Sequence, residues 1–303
     1  MKNNQLMIYG AYGYAGELMV REAVAQGLRP IIAGRDDEKL KPIATELSLE
    51  CRAFGVRNTG SNLQDISVLL NCAGPFSATA EPLARACLAQ QIHYLDITGE
   101  IDIFRKCHAL DEEARQQNVL ILPGAGTDIV PTDCLAAMLK EKLPVATRID
   151  LALSFGTNPS IGTVNTMIES FGKGGLIREG GMLKVVSNAF QMRKIPFQNK
   201  PQWAMTIPWG DVFTSGISTG VPDGAVYMAM PRMSIYMIRL TNPVKVILNT
   251  QFGQKITKRL AGWLMKKGPD AKALEAGRGQ FWGEAEAPDG EKLEMTMSTP
   301  NVY

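Results

Sequence analysis

Through the first 142 residues, short apolar runs alternate with amphipathic stretches. Leu6–Tyr9, Pro30–Ala33, Glu50–Phe54, Val68–Asn71, Ile92–Asp96 and Val119–Leu122 have the length and character of buried strands. Between them, Tyr14–Gln26, Asp37–Leu47, Ala80–Gln90 and Ile103–Gln117 carry apolar residues at helical spacing. In the first of these, Ala15, Leu18, Met19, Ala23 and Val24 make one face, and Gly27 supplies the stop. Strands alternating with helices predict a parallel sheet covered on both faces. Residues 1–142 are therefore expected to form an α/β domain with a Rossmann-type, doubly wound parallel sheet.

The pattern changes near Leu143. All five cysteines and both histidines precede Met138, whereas all four tryptophans follow Gln202. Arg148–Phe155, Asp211–Thr214, Ala225–Met230, Gly279–Ala287 and Lys292–Thr299 read as strands, and Thr163–Phe171 as a helix. Pro288-Asp289-Gly290 supplies a hairpin turn between the last two strands. Residues 143–303 are thus expected to form a second, α+β domain with a largely antiparallel sheet, serving substrate binding and dimerisation. Within it, Pro243–Lys267 places Val246, Leu248, Phe252, Leu260 and Trp263 opposite Lys245, Lys255, Lys258, Arg259 and Lys266. Such a helix packs into its own core or a homodimer interface, which is the favoured reading. The other reading is peripheral contact with an anionic membrane.

The chain has 303 residues, 45% hydrophobic and 20% charged, with a formal net charge of +2. That length supports two cores, and that charge gives no reason to expect a nucleic-acid partner. The start lacks a signal peptide's long apolar segment, and no uninterrupted apolar run is long enough to span a bilayer. Cys51, Cys72, Cys87, Cys107 and Cys134 are odd in number and form no C-x-x-C pair. Buried, reduced thiols in a cytoplasmic protein are expected.

Chemistry enters at Gly10-Ala11-Tyr12-Gly13-Tyr14-Ala15-Gly16, a G-x-x-G-x-x-G loop between the first strand and the first helix. Gly10 permits the tight turn, Gly13 lets the backbone approach a pyrophosphate, and Gly16 lets helix and strand pack closely. The helix start offers free N–H groups to phosphate. The second strand ends in Ala33-Gly34-Arg35-Asp36. An acidic residue ending that strand binds a ribose 2′-hydroxyl, whereas an arginine accommodates a 2′-phosphate. Arg35 therefore favours NADP (NADPH) over NAD. Asp36 reads as a helix cap or a ribose contact, and Lys39 as an assistant from the next turn. Cys72-Ala73-Gly74-Pro75-Phe76 follows the fourth strand at the same sheet edge, where its backbone would line the nicotinamide ribose. The expected cofactor contacts are Gly10, Tyr12, Gly13, Tyr14, Ala15, Gly34, Arg35, Asp36 and the stretch from Cys72 to Phe76.

These segments together resemble the saccharopine dehydrogenase-like oxidoreductases, a family that includes saccharopine reductases and trans-acting enoyl reductases. The resemblance extends through Tyr94–Glu100, Gly126–Asp133, Gly162-Thr163 with Glu169, Trp209–Asp211 and Ser218–Pro222. It implies hydride transfer on a small-molecule substrate with NADP. Three departures stand out. Tyr12 and Ala15 replace the usual threonines of the glycine loop, Thr127 replaces the usual aromatic before Asp128, and the chain stops at Tyr303 where relatives continue into a helix. An apolar face on the nucleotide domain is expected where that helix would pack.

Hydride transfer needs a protein acid or base only if a proton also moves. Asp96 and Asp128 follow the fifth and sixth strands on the ligand edge and are the candidate catalytic groups, although aspartates there also cap helices and brace turns. His93 and His108 read as structural or surface residues. No metal-ligand spacing and no nucleophile elbow appear. Val212–Met230 contains no lysine or arginine, which leans towards an apolar, acyl or enoyl substrate. The alternatives are an opine-type C–N oxidoreductase, or a non-catalytic protein that binds NADP as a regulator.

Overall fold

Strand β1 (Gln5–Tyr9) is apolar on both faces because it becomes the middle of a sheet. Helix α1 (Tyr14–Ala25) follows, then β2 (Ile31–Gly34), α2 (Asp37–Leu47), β3 (Cys51–Ala53), β4 (Ile66–Asn71) and α3 (Phe76–Ala89). The first unit continues with β5 (His93–Asp96), α4 (Ile101–His108), α5 (Asp111–Gln117) and β6 (Ile121–Leu122). The computed structural model of the chain describes residues 5–155, 174–240, 242–244 and 277–300. The expected Thr163–Phe171 helix, Glu169 and nearly all of the basic 243–267 segment lie outside the described residues.

The six strands form one parallel sheet in the order β3-β2-β1-β4-β5-β6. Apolar side chains pack on both faces. One core gathers Leu69, Leu83, Tyr94 and Ile103; the other gathers Ile8, Val20, Ile32 and Leu40. The expected doubly wound domain is therefore present. The expected helix Ile103–Gln117 is two helices, broken at Ala109-Leu110, where the Leu110 side chain turns into the core.

The second unit opens earlier than the residue 142/143 division read from the sequence. The chain separates into Met1–Asp128 and Ile129–Val302. Helix α6 (Val130–Lys142) packs on the second sheet through Leu135, Ala136 and Leu139, so it belongs to that core. The strands are β7 (Arg148–Phe155), β8 (Gly175–Glu179), β9 (Met182–Val186), β10 (Met192–Pro196) and β11 (Pro201–Ile207). They continue with β12 (Asp223–Ala229), β13 (Gly279–Glu286) and β14 (Lys292–Thr299). The main path is β10-β11-β12-β7-β13-β14, antiparallel except between β12 and β7, with the β8–β9 hairpin attached to β12. Helices α7 (Asp211–Thr219) and α8 (Arg232–Leu240) complete the unit.

Asp211–Thr214 is helical, not the strand its composition suggested. Asp211 stands in the first turn, where an acid suits the helix dipole, and Gly220 closes the helix at φ 68°. The β8–β9 hairpin turns at Gly180-Gly181, with φ of 58° and 77°, a left-handed pair that glycine adopts without strain.

The second sheet curls strongly. Arg193 on β10 donates to Glu284 on β13 at 3.2 and 3.1 Å, although β11, β12 and β7 lie between them. Four strand spacings in a flat sheet would measure about 19 Å, far beyond an arginine's reach. Arg193 also lies 4.6 Å from the Trp282 ring centroid. Burial would raise the Glu284 carboxyl, but Arg193 and then Lys292 outweigh it and hold it below its usual range. For the more buried Asp150 the balance reverses. Burial wins over Arg148 and Arg193, and its carboxyl is raised.

Candidate functional site

In the first unit, registry puts Ala33, Tyr9, Asn71 and Asp96 in one row at the carboxyl edge of the sheet. Strands β2 and β4 flank β1, so the loops that follow β1 and β4 run to opposite sides. That divergence is the crevice where open α/β sheets bind ligands.

The glycine loop is built without room for side chains. Gly10 sits at φ 87°, and a Cβ there would stand 2.7 Å from the Ala73 nitrogen. A Cβ on Gly16 would stand 2.1 Å from the Gly10 carbonyl oxygen. Gly13 is the N-cap of α1 in extended conformation, and its N–H donates to the Gly10 carbonyl at 2.9 Å. Tyr14 and Ala15 begin the helix, Tyr14 exposed and Ala15 half-buried. Main-chain N–H groups thus gather at a helix start flanked by Gly13 and Gly16, the arrangement that receives a pyrophosphate.

At the end of β2, Arg35 is exposed and forms no ion pair with any other described residue. Asp36 occupies the N-cap position of α2 and pairs with Lys39 at 3.1 Å, which holds its carboxyl below the usual range. Tyr12 packs over Gly34, with Lys39 Nζ 5.6 Å from its ring centroid.

Beyond β4, Asn71 is fully buried and fixes the loop that follows. Its Oδ1 accepts the Ala73 N–H at 3.0 Å, and its Nδ2 donates to the Tyr94 hydroxyl at 3.1 Å. Thr79 Oγ1 donates to the Ala73 carbonyl at 2.6 Å. Ala73 therefore stays pressed against Gly10, while Gly74 is open, the Gly74–Pro75 peptide is cis, and Phe76 starts α3. Burial, reinforced by Asp96, pushes the Cys72 thiol up to about 12, so it is no nucleophile at neutral pH. Cys87 and Cys107 are likewise buried, but Cys51 is half-buried and Cys134 exposed, so the expectation of uniformly buried thiols fails for those two.

The two candidate acids differ. Asp96 is fully buried and accepts from the Tyr94 hydroxyl at 2.8 Å, the Thr98 N–H at 3.0 Å and the Gly124 N–H at 2.9 Å. It ties the end of β5 to the loop after β6, and Asn71, Tyr94 and Asp96 make one bonded chain beneath the site. Burial raises its carboxyl despite three donors. Asp128, at the end of the unit, is half-buried, and desolvation lifts its carboxyl to about 6. That value suits proton exchange near neutrality. The other residues of this edge brace it. Thr98 Oγ1 accepts the Glu100 N–H at 3.1 Å. His93 Nδ1 accepts the Leu120 N–H at 3.0 Å, which is a structural role. Among the described residues, no group of three His, Cys, Asp or Glu stands close enough to hold a metal ion, and no described helix is long and apolar enough to cross a membrane.

Sequence reasoning missed the Asn71–Tyr94–Asp96 network and the Tyr12 ring between Gly34 and Lys39. The first had a signal in the polar residues that close two otherwise apolar strands.

Residues 6–122, nearly the whole of this unit, match the model of the saccharopine dehydrogenase NADP binding domain. Over those residues the chain is similar to the NADP-binding domain of saccharopine dehydrogenases. A saccharopine dehydrogenase-like oxidoreductase of Rattus norvegicus is 25% identical over 231 residues, which are 67% of this chain and 53% of that protein. A Mycobacterium tuberculosis protein named as a trans-acting enoyl reductase is 28% identical, over 61% of this chain and 44% of its own length. The chain spans about half the length of the relatives it matches. Across both units the fold is shared with the saccharopine dehydrogenase (L-Glu forming) of Saccharomyces cerevisiae. The TM-score is 0.65 at 8% identity, covering 98% of this chain and 85% of the yeast one. The matched model is that of an NADP-binding domain, which supports a nicotinamide dinucleotide as the ligand of this unit.

Proposed function

We propose that this protein is an NADP-dependent oxidoreductase transferring a hydride to or from an apolar, acyl-type substrate. The observation that carries the cofactor reading is the cradle at Gly10 and Gly16, where no Cβ fits and the chain turns into a helix start suited to a pyrophosphate. The exposed Arg35 supports NADP over NAD, because a planar fork of donors suits a 2′-phosphate. When bound, the nicotinamide cofactor supplies or accepts the hydride. The chain's own residues bind and orient it. The glycine loop takes the pyrophosphate, Asn71 and Asp96 hold the loops of the sheet edge, and Asp128 holds a proton that can be given up near neutral pH.

The acyl reading has two supports. One relative is named as an enoyl reductase. The stretch Val212–Met230 carries no lysine or arginine, and the buried Arg178 beside it spends Nε and Nη1 on the carbonyls of Val221 and Val212. An opine-type reaction would instead require free basic groups for several carboxylates.

The test has two arms. NADPH consumption is followed with enoyl thioesters and, separately, with amino acid and 2-oxo acid pairs. Turnover of the thioesters alone is expected, and turnover of the acid pairs alone would overturn the acyl reading. Binding is then compared for Arg35→Asp. Loss of one charged hydrogen bond of about 1.5–3 kcal/mol weakens NADPH by about 10–150-fold. An unchanged NADPH-to-NADH ratio would overturn the assignment of Arg35.

A further inference from the structure

The end of β2 offers no side chain of its own, because Gly34 stands there. A Cβ on Gly34 would lie 2.6 Å from Tyr12 Cε1 and 3.2 Å from Cδ1, so the phenol ring already occupies that space. The ring is anchored from below. It packs on the core that contains Ile32 and Leu40, between the sheet and helices α1 and α2. Above it lies the Lys39 ammonium, 5.6 Å from the ring centroid and 3.1 Å from Asp36. On the other face of the sheet the Tyr9 hydroxyl donates to the Phe54 carbonyl at 2.9 Å. Burial and then Tyr12 raise the Tyr9 phenol while Arg35 lowers it.

Dinucleotide sites of this fold choose their cofactor at this strand end. An acidic side chain takes the ribose hydroxyls of NAD, and a basic one takes the 2′-phosphate of NADP. We infer that Tyr12 is a second specificity-determining residue with Arg35: its ring fills the space an acidic side chain on residue 34 would need and holds Lys39, on the turn that follows Arg35, for the 2′-phosphate. This rests on the dinucleotide reading of the loop given above. Asp36 contacts the same ammonium at 3.1 Å, but in an exposed pair that holds it weakly, so a 2′-phosphate with its larger charge competes for it. The hydroxyl of Tyr12 is not required, since the ring alone excludes the acid and faces the ammonium.

The experiment titrates the full chain with NADPH and NADH, and with the fragments 2′,5′-ADP and 5′-AMP, which isolate the 2′-phosphate from the rest of the cofactor. Tyr12→Phe keeps the wild-type preference for the phosphorylated member of each pair. Tyr12→Ala lowers that preference by about 2–5-fold, the worth of an exposed cation–π contact. Gly34→Asp gains no NADH affinity while the ring stands in its way, whereas Tyr12→Ala/Gly34→Asp does and turns the preference towards NADH. Should the double variant fail to fold, the fragment ratios of Tyr12→Phe and Tyr12→Ala decide. Intact NADPH binding with an unchanged ratio in Tyr12→Ala overturns this inference alone. So does a Gly34→Asp variant that recruits NADH as well as the double variant. No dinucleotide binding by the wild-type chain overturns the underlying reading together with it.

Discussion

A single methyl group at Gly16 tests the nucleotide cradle most directly. In Gly16→Ala the new Cβ would begin 2.1 Å from the Gly10 carbonyl oxygen, 2.9 Å from its carbon and 3.1 Å from the Ala11 Cα. All three are main-chain atoms, so no rotamer change relieves the clash. The start of α1 must separate from the loop by about 1 Å to restore van der Waals contact. Overpacking of that kind costs about 1–3 kcal/mol. The displaced N–H groups also lose a charged hydrogen bond to the pyrophosphate, so NADPH affinity falls by about 10–150-fold. Thermal unfolding and NADPH titration read the two effects. Gly27→Ala is the control. Gly27 has φ 82° with nothing within 4 Å, so alanine there costs about 1–2 kcal/mol of backbone strain and leaves binding untouched. Wild-type stability and affinity in Gly16→Ala would refute the cradle, as would an equal loss of NADPH binding in Gly27→Ala.

Three further outcomes follow from the charges. Asp96→Asn keeps both backbone N–H bonds through Oδ1 and leaves only the Tyr94 hydroxyl short of an acceptor, costing about 1–3 kcal/mol; Asp96→Ala strands all three donors and costs more. Equal denaturation midpoints for the two variants would contradict this bracing role. The Asp128 carboxyl is raised to about 6, so the folded state binds its proton more tightly than the unfolded chain. Its contribution is fully present below the unfolded value near about 3.9 and is lost as pH rises through 6, amounting to about 1–3 kcal/mol. The stability of Asp128→Asn relative to wild type should therefore rise between about pH 4 and 7 and level off above that, and a pH-independent difference would refute the burial argument. Glu284→Gln should cost about 1–3 kcal/mol, because Arg193, still stacked on Trp282, loses the nearer of its two carboxylate partners and keeps only Asp150; an unfolding midpoint equal to wild type would show that the pair does not hold the curl of the second sheet.

Local sequence determined the first unit almost completely. Its strands are apolar enough to be buried on both faces, its helices have one clear apolar stripe, and Gly10 and Gly16 stand where only a glycine fits. These signals reach a few residues along the chain, so sequence alone displays them. The match of α2 to Asp37–Leu47 and of β14 to Lys292–Thr299 has the same origin, an uninterrupted period and a defined stop. The glycine pair at Gly180-Gly181 was a legible hairpin signal as well, although the exposed β9 beside it hid the strand. Tertiary structure decided the rest. Asp211–Thr214 is too short and too mixed to announce a period, and it became helical once Gly220 and packing on α6 set its limits. Helix α6 looked like the last element of the first unit because it follows β6 in the chain. It went to the second because Leu135, Ala136 and Leu139 find their apolar partners on that sheet. At the site, Asn71 meets Tyr94, and Asp96 meets Gly124, only because parallel strands far apart in sequence end in one row. The Tyr12 ring reaches Gly34 only because β1 and β2 pair in register. Period and composition record what each residue is beside in the chain, whereas the charge balance of Asp96, Asp128 and Arg193 depends on what the fold brings against them.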